Sequence, residues 1–114
     1  MLALVFSKAQ LTANYKAYEA ALDGLNSIIG YAVKANFNKS IMQHLCGLGS
    51  GAVVVSGHEL ALAIKFGFNP ERCVFNGNGK LREELAYGVQ MGSLVNIDSE
   101  FDFENILDAA KVRR

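Results

Sequence analysis

Lys34 closes the apolar stretch of IIGYAVKANFNK (residues 28–39), where burial should discourage an ammonium group. In a strand, alternation puts Gly30, Ala32 and Lys34 on one face and Ile29, Tyr31 and Val33 on the other. The bulky face suits packing against helices. The other face places two small side chains just before an amine and leaves room for a flat ring beside it. A lysine enclosed in a low-dielectric site loses proton affinity and becomes a nucleophile toward aldehydes. Pyridoxal 5'-phosphate is the aldehyde cofactor that such lysines commonly hold. The competing reading is a solvated lysine that merely leaves the strand, its stem lying on apolar surface. Spacing alone favours the second.

Other residues could do chemistry, with plainer readings beside them. Asn76-Gly77-Asn78-Gly79-Lys80 exposes amides and adds a positive charge, as a phosphate site would. It lacks the long loop and following Ser/Thr of a nucleotide phosphate loop, so a strand-to-helix turn accounts for it better. His58 falls in the first turn of a helix, as a surface or capping residue, and His44 sits mid-helix in a structural position. Asp98, Glu100, Asp102 and Glu104 form an acidic helix start that suits the helix dipole. They show no metal-ligand spacing, and no metal is expected. Cys46 and Cys73, the only cysteines, lie in apolar patterns and read as inert buried thiols.

Four apolar stretches could position these groups: 28–34, 52–56, 73–76 and 94–98. Runs that are apolar on both faces belong to parallel sheets covered by helices, and each gap holds one amphipathic helix. Ser7 with Gln10, Ser40 with Gln43 and Ser56 with Glu59 have capping-box spacing, and Ser99 with Asp102 is a weaker version. Gly24, Gly49, Gly67 and Gly92 stand where helices would stop. The expected order is a strand over 2–6, a helix over 8–23, then four strand–helix units ending near Val112. An α/β fold with a parallel sheet follows. Periodicity does not choose between a small doubly wound sheet and part of a barrel. In either, ligands sit at the carboxyl ends of the strands, where 34–38, 56–60, 76–80 and 97–100 converge.

The 114 residues suit one domain, and 51% are apolar. Eleven basic residues balance eleven acidic ones without a run of like charge, which argues against nucleic acid or an anionic membrane as partner. The opening MLALVF is too short to span a bilayer and lacks a basic start. Asn38-Lys39-Ser40 matches a glycosylation sequon, but a helix cap explains these residues better.

YAVKANFN, GSGAVVVSGHEL, CVFNGNGK and LVNIDSEFDFENI, in this order and spacing, closely resemble the diaminopimelate decarboxylases. These belong to the barrel-type pyridoxal-phosphate decarboxylases and alanine racemases. YAVKAN alone would be shared with ornithine and arginine decarboxylases; the combination points to plant-like members of the diaminopimelate branch. The resemblance implies parallel βα repeats forming roughly the first half of a (β/α)8 barrel, with residues 1–7 resembling a strand of the family's second, β-rich domain. Lys34 matches the lysine bonded to pyridoxal 5'-phosphate, and Ala32 matches a small residue lining the ring. Ser56, Glu59 and Asn78 match motif positions without individual roles. Val53 stands where many relatives carry an acid, which removes one charge partner for Lys34.

By the same resemblance, the activity is decarboxylation of meso-diaminopimelate to L-lysine by a homodimer. The ring-stacking histidine, the phosphate cradle, the acid at the pyridine nitrogen and the specificity segment match nothing in this sequence. The expectation is therefore an incomplete chain, inactive alone and poorly soluble, because a half barrel exposes sheet edges and its inner face. Plant-like relatives imply a plastid location; a sequence complete as written, without a transit peptide, implies the cytoplasm. The alternatives are a noncatalytic α/β interaction module or gene fragment, and a related ornithine or arginine decarboxylase.

Overall fold

The computed structural model describes residues 5–113. Helix α1 spans Lys8–Ala21, followed by β1 (Gly30–Ala32), α2 (Lys39–Gly47), β2 (Gly51–Val54), α3 (Gly57–Lys65), β3 (Cys73–Phe75), α4 (Arg82–Met91), β4 (Leu94–Val95) and α5 (Glu100–Arg113). Short 3₁₀ turns at Val33–Ala35 and Pro70–Arg72 follow β1 and precede β3. The strand expected over 2–6 lies mostly outside the described residues, and Val5 and Phe6 carry no strand.

The strands pair in parallel in the order β1-β2-β3-β4, with Ala32 opposite Val53, Val53 opposite Val74, and Val74 opposite Leu94. A doubly wound sheet reverses its strand order at a switch point and covers both faces with helices. Neither feature is present among the described residues. One row of side chains (Ala52, Val54, Cys73 and Phe75) is fully buried with Met42, Leu60, Ala63 and Phe68 from the connections. On the opposite face, Ala32, Val53 and Val74 are only half-buried and Leu94 is exposed. A sequential sheet with helices on one side is the stave arrangement of a barrel wall.

The glycines expected to end helices do so: Gly24, Gly49, Gly67 and Gly92 all have positive φ. Ser7 and Ser56 accept the amides of Gln10 and Glu59 at 3.2 and 3.1 Å, and Ser99 accepts that of Asp102 at 3.2 Å. The return bond is displaced upstream: Glu59 Oε1 accepts from Val55 N, and Asp102 Oδ2 from Asp98 N. Ser40 does not cap α2, contrary to the spacing with Gln43. Asn38 does, its Oδ1 accepting the amides of Ser40 and Ile41. An Asn two residues earlier starts the helix sooner, reaching the Ser40 and Ile41 amides while its own backbone is still extended, so Ser40 falls inside the first turn.

Candidate active site at the carboxyl edge of the sheet

The first strand is shorter than the apolar run suggests. It ends at Ala32, and the 3₁₀ turn over Val33–Ala35 carries Lys34 out of the ladder. Val33 is fully buried and anchors the turn, and Lys34 is exposed. The polar residues after it build the turn. Tyr31 Oη donates to Asn36 O at 2.7 Å, Asn36 Oδ1 accepts from Asn38 N at 2.9 Å, and Asn38 starts α2. Burial pushes the Tyr31 phenol above its ordinary value, against the smaller downward pull of the hydrogen bond it makes to Asn36 O. ANFN is thus a relay of turn and cap contacts that fixes where Lys34 leaves the sheet.

Before Lys34 in the chain, the open face of β1 is small and apolar. Ala32 is half-buried opposite Val53, and a Cβ on Gly30 would lie 2.8 Å from Val53 Cγ2. Beyond the ladder, the register brings Val55, Asn76 and Asn96 into one row, and Asn96 Nδ2 donates to Asn76 Oδ1. Gly77 takes φ 113°, and a Cβ there would meet Val55 O at 3.3 Å, so the β3–α4 loop passes this edge only as glycine.

The most strongly organised group at this edge is one that the spacing did not identify. The Lys80 side chain is fully buried, and its ammonium lies 2.9 Å from Asp98 Oδ2 and 3.1 Å from Asp102 Oδ2. It also donates to Gly77 O. Burial alone would lower the Lys80 pKa, but the two carboxylates outweigh it and hold the ammonium above its ordinary value. The Asp98 amide, with Lys80, holds the Asp102 carboxyl below its ordinary value against the cost of burial. The Lys80 charge is therefore spent inside the protein and is not offered to a phosphate. Its contacts tie the loop after β3 to the loop after β4. A signal existed in the alternation of Asp98 and Asp102 about one helix start, but only tertiary packing buries Asp102.

Glu84 makes a second tie. Its Oε2 accepts from Gly57 N at 2.5 Å and its Oε1 from Leu81 N at 2.9 Å, joining the starts of α3 and α4. His58 is exposed. With Phe37, Ser56, Glu59 and Leu62 it lines a cleft of about 160 Å³. Glu59 is held by Val55 N and Asn78 is exposed, so neither is brought to Lys34 by a hydrogen bond. His44 is structural: its Nε2 lies 2.8 Å from Thr12 Oγ1, joining α2 to α1.

One-sided helix packing and a sequential parallel sheet define part of a barrel wall, with a lysine leaving its first strand. The chain belongs to the pyridoxal-dependent decarboxylase family, whose pyridoxal binding domain matches residues 8–114. It is 57% identical over 108 residues to a protein of Oryza sativa subsp. japonica named "Probable diaminopimelate decarboxylase, chloroplastic", covering 95% of this chain and 22% of that one. The diaminopimelate decarboxylase of Neisseria meningitidis serogroup B is 36% identical, with 93% and 26% covered. Among solved structures, Helicobacter pylori diaminopimelate decarboxylase complexed with L-lysine superposes with a TM-score of 0.88 at 34% identity, covering 94% of this chain and 27% of that chain. The chain thus spans about a quarter of the length of these relatives. No helix among the described residues is long and apolar enough to cross a membrane.

Proposed function

We propose that this chain supplies the cofactor-attachment part of a diaminopimelate decarboxylase, an enzyme that takes meso-diaminopimelate to L-lysine and carbon dioxide. The observation that carries the reading is Lys34, an exposed primary amine in the turn that directly follows Gly30–Ala32 at the carboxyl edge of the first parallel strand. The residues present fit pyridoxal 5'-phosphate in donor chemistry, since an accessible amine suits an aldehyde. They fit it in shape too, since Gly30 and Ala32 leave one face of that strand open. When bound, the cofactor supplies an electron sink for the pair released as carbon dioxide departs.

The chain's own contribution is attachment and placement. Lys34 provides the bonding nitrogen, and Ala32 keeps the neighbouring face flat. Val53, opposite Ala32, gives that face an apolar flank in place of a charge partner. The Tyr31–Asn36–Asn38 relay sets the exit of Lys34 from the sheet, and the Lys80 cluster fixes two loops of the same edge. No motif of this sequence resembles the family's phosphate cradle or specificity segment, so the chain alone attaches the cofactor without turnover. The resemblance also supports a homodimer and a plastid location for the whole enzyme, with residues 1–7 in its β-rich second domain.

The test is borohydride reduction after incubation with equimolar pyridoxal 5'-phosphate, followed by peptide mapping. The label is expected on Lys34 and absent from Lys34→Ala. A label on other lysines that Lys34→Ala leaves unchanged overturns the attachment. Carbon dioxide release from carboxyl-labelled meso-diaminopimelate by this chain would overturn the need for the further groups.

A further inference from the structure

A cleft of about 270 Å³ opens at the other end of the sheet, beneath the amino ends of the strands. Its walls come from the C-terminal half of α1, the segment leading into β1, and the residues just before β2 and β3. Tyr15, Asp23, Glu19 and Arg72 supply its polar groups. It is far along the strands from Lys34 and shares no lining residue with the carboxyl edge.

Three of these groups lack a counterpart among the described residues. Tyr15 is 7% exposed, yet its hydroxyl makes no hydrogen bond there. Tyr15 lines the cleft. Arg72 is half-buried and donates one bond, from Nη2 to Gly49 O at 3.1 Å. Its other N–H groups meet no carboxylate among the described residues, although two carboxylates line the same cleft. Asp23 has no cation partner among the described residues, and Glu19 is engaged with Lys16 at 3.1 Å.

An unpaired guanidinium fork, a free phenol and an unpaired carboxylate around one small cleft are the complement of a zwitterion. We infer that this cleft binds a free α-amino acid, with its carboxylate on Arg72 and the Tyr15 hydroxyl and its ammonium on Asp23. The guanidinium suits a carboxylate because its planar donors match two oxygens at once. A volume slightly under the range of about 300–1,000 Å³ that holds drug-sized ligands suits a molecule of amino-acid size. Because α1 and the strand starts meet there, occupancy would brace α1 against the sheet without touching the carboxyl edge. The inference does not rest on the decarboxylase reading.

The test titrates the cofactor-free chain with L-alanine, propionate and ethylamine by calorimetry, and follows amide shifts by NMR. L-Alanine is expected to bind saturably, with shifts centred on Gly24, Gly49 and Arg72. Propionate and ethylamine each lack one pole and should bind about tenfold more weakly or worse, as loss of a charge-assisted contact implies. Tyr15→Phe keeps the ring and should weaken L-alanine about fivefold, and Arg72→Gln about tenfold or more. Lys34→Ala should leave binding unchanged, which separates this cleft from the carboxyl edge. No saturation by about 10 mM L-alanine, a range beyond which affinity is negligible, overturns the inference. So does equal affinity for propionate, or wild-type affinity in Tyr15→Phe. If Arg72→Gln fails to fold, Tyr15→Phe decides.

Discussion

Replacing Lys80 with methionine tests the tie between the two loops at the carboxyl edge. The substitution keeps an unbranched stem and removes the ammonium that faces Asp98, Asp102 and Gly77 O. Breaking a buried ion pair from one side costs about 3–5 kcal/mol, mostly because the remaining charge is left uncompensated. Here the Asp98 side chain is 43% exposed and recovers water, so its share is small. Asp102 is 6% exposed but retains the Asp98 amide at 3.0 Å. The lower end, about 3 kcal/mol, follows, which at about 4–6 °C per kcal/mol for a domain of this size lowers Tm by about 12–18 °C. Urea unfolding of the wild type, Lys80→Met, Asp102→Leu and the double variant measures both the cost and the coupling. The double variant should fall short of the summed single losses by about 2 kcal/mol, because an apolar pair leaves no stranded charge. A Lys80→Met loss under about 0.5 kcal/mol, the range of ordinary surface substitutions, or strictly additive losses, would refute the reading.

The same cluster sets a pH dependence. Asp102 titrates below 3.8 in the folded chain, so its contribution is present above that value and fades as pH falls through the lower folded one. Lys80 titrates above 10.5, so its contribution is complete below that value and fades as pH rises through the higher folded one; Lys80→Met should abolish this alkaline part in urea midpoints taken across pH. Burial raises the Cys73 thiol to about 11, so iodoacetamide at pH 8 should label half-buried Cys46 first and Cys73 only on unfolding, as mass spectrometry would show. Asn38→Ala should cost about 1 kcal/mol as a lost N-cap, and Ser40→Ala no more than a few tenths, in thermal melts. Gly51→Ala should destabilise by several kcal/mol, about the range of a core clash, because a Cβ there would run into the Arg72 carbonyl on rigid backbone.

Much of the fold was legible because each element carried two independent marks. Apolar runs gave the strands, and glycines with positive φ gave four helix ends. Where one mark stood alone, the reading slipped. The run 28–34 is apolar throughout, but only Gly30–Ala32 forms a strand, because Val33 is buried from a turn as readily as from a ladder. Ser40 had the right partner spacing yet lost the cap to Asn38, since capping depends on which side chain reaches the free amides while its own backbone is extended. The choice between a doubly wound sheet and a barrel wall was not available to periodicity. It depends on which face of the sheet stays uncovered, and that is a property of how units pack.

The site was legible in part, and the division has a physical cause. Strand alternation brought out Gly30 and Ala32, and an amine after them, because those residues act through local spacing. Lys80 is different. Its loop reads as a phosphate cradle when glycines and a cation are weighed alone, and Asp98 and Asp102 read as a solvated helix start. The turn and the acidic helix start are both there, but neither reading joins the loop to the helix, because the partner lies a full strand–helix unit away. Once Lys80 is buried, its charge must be compensated within the fold, and the two carboxylates at the next strand's end are what compensates it. Lys34 is by contrast exposed and, among the described residues, free of ion pairs at this edge, its turn fixed by Tyr31, Asn36 and Asn38 while its amine is left accessible. A barrel wall that neutralises Lys80 and presents Lys34 has sorted these two amines by burial, and of the two only Lys34 can meet an aldehyde from solution.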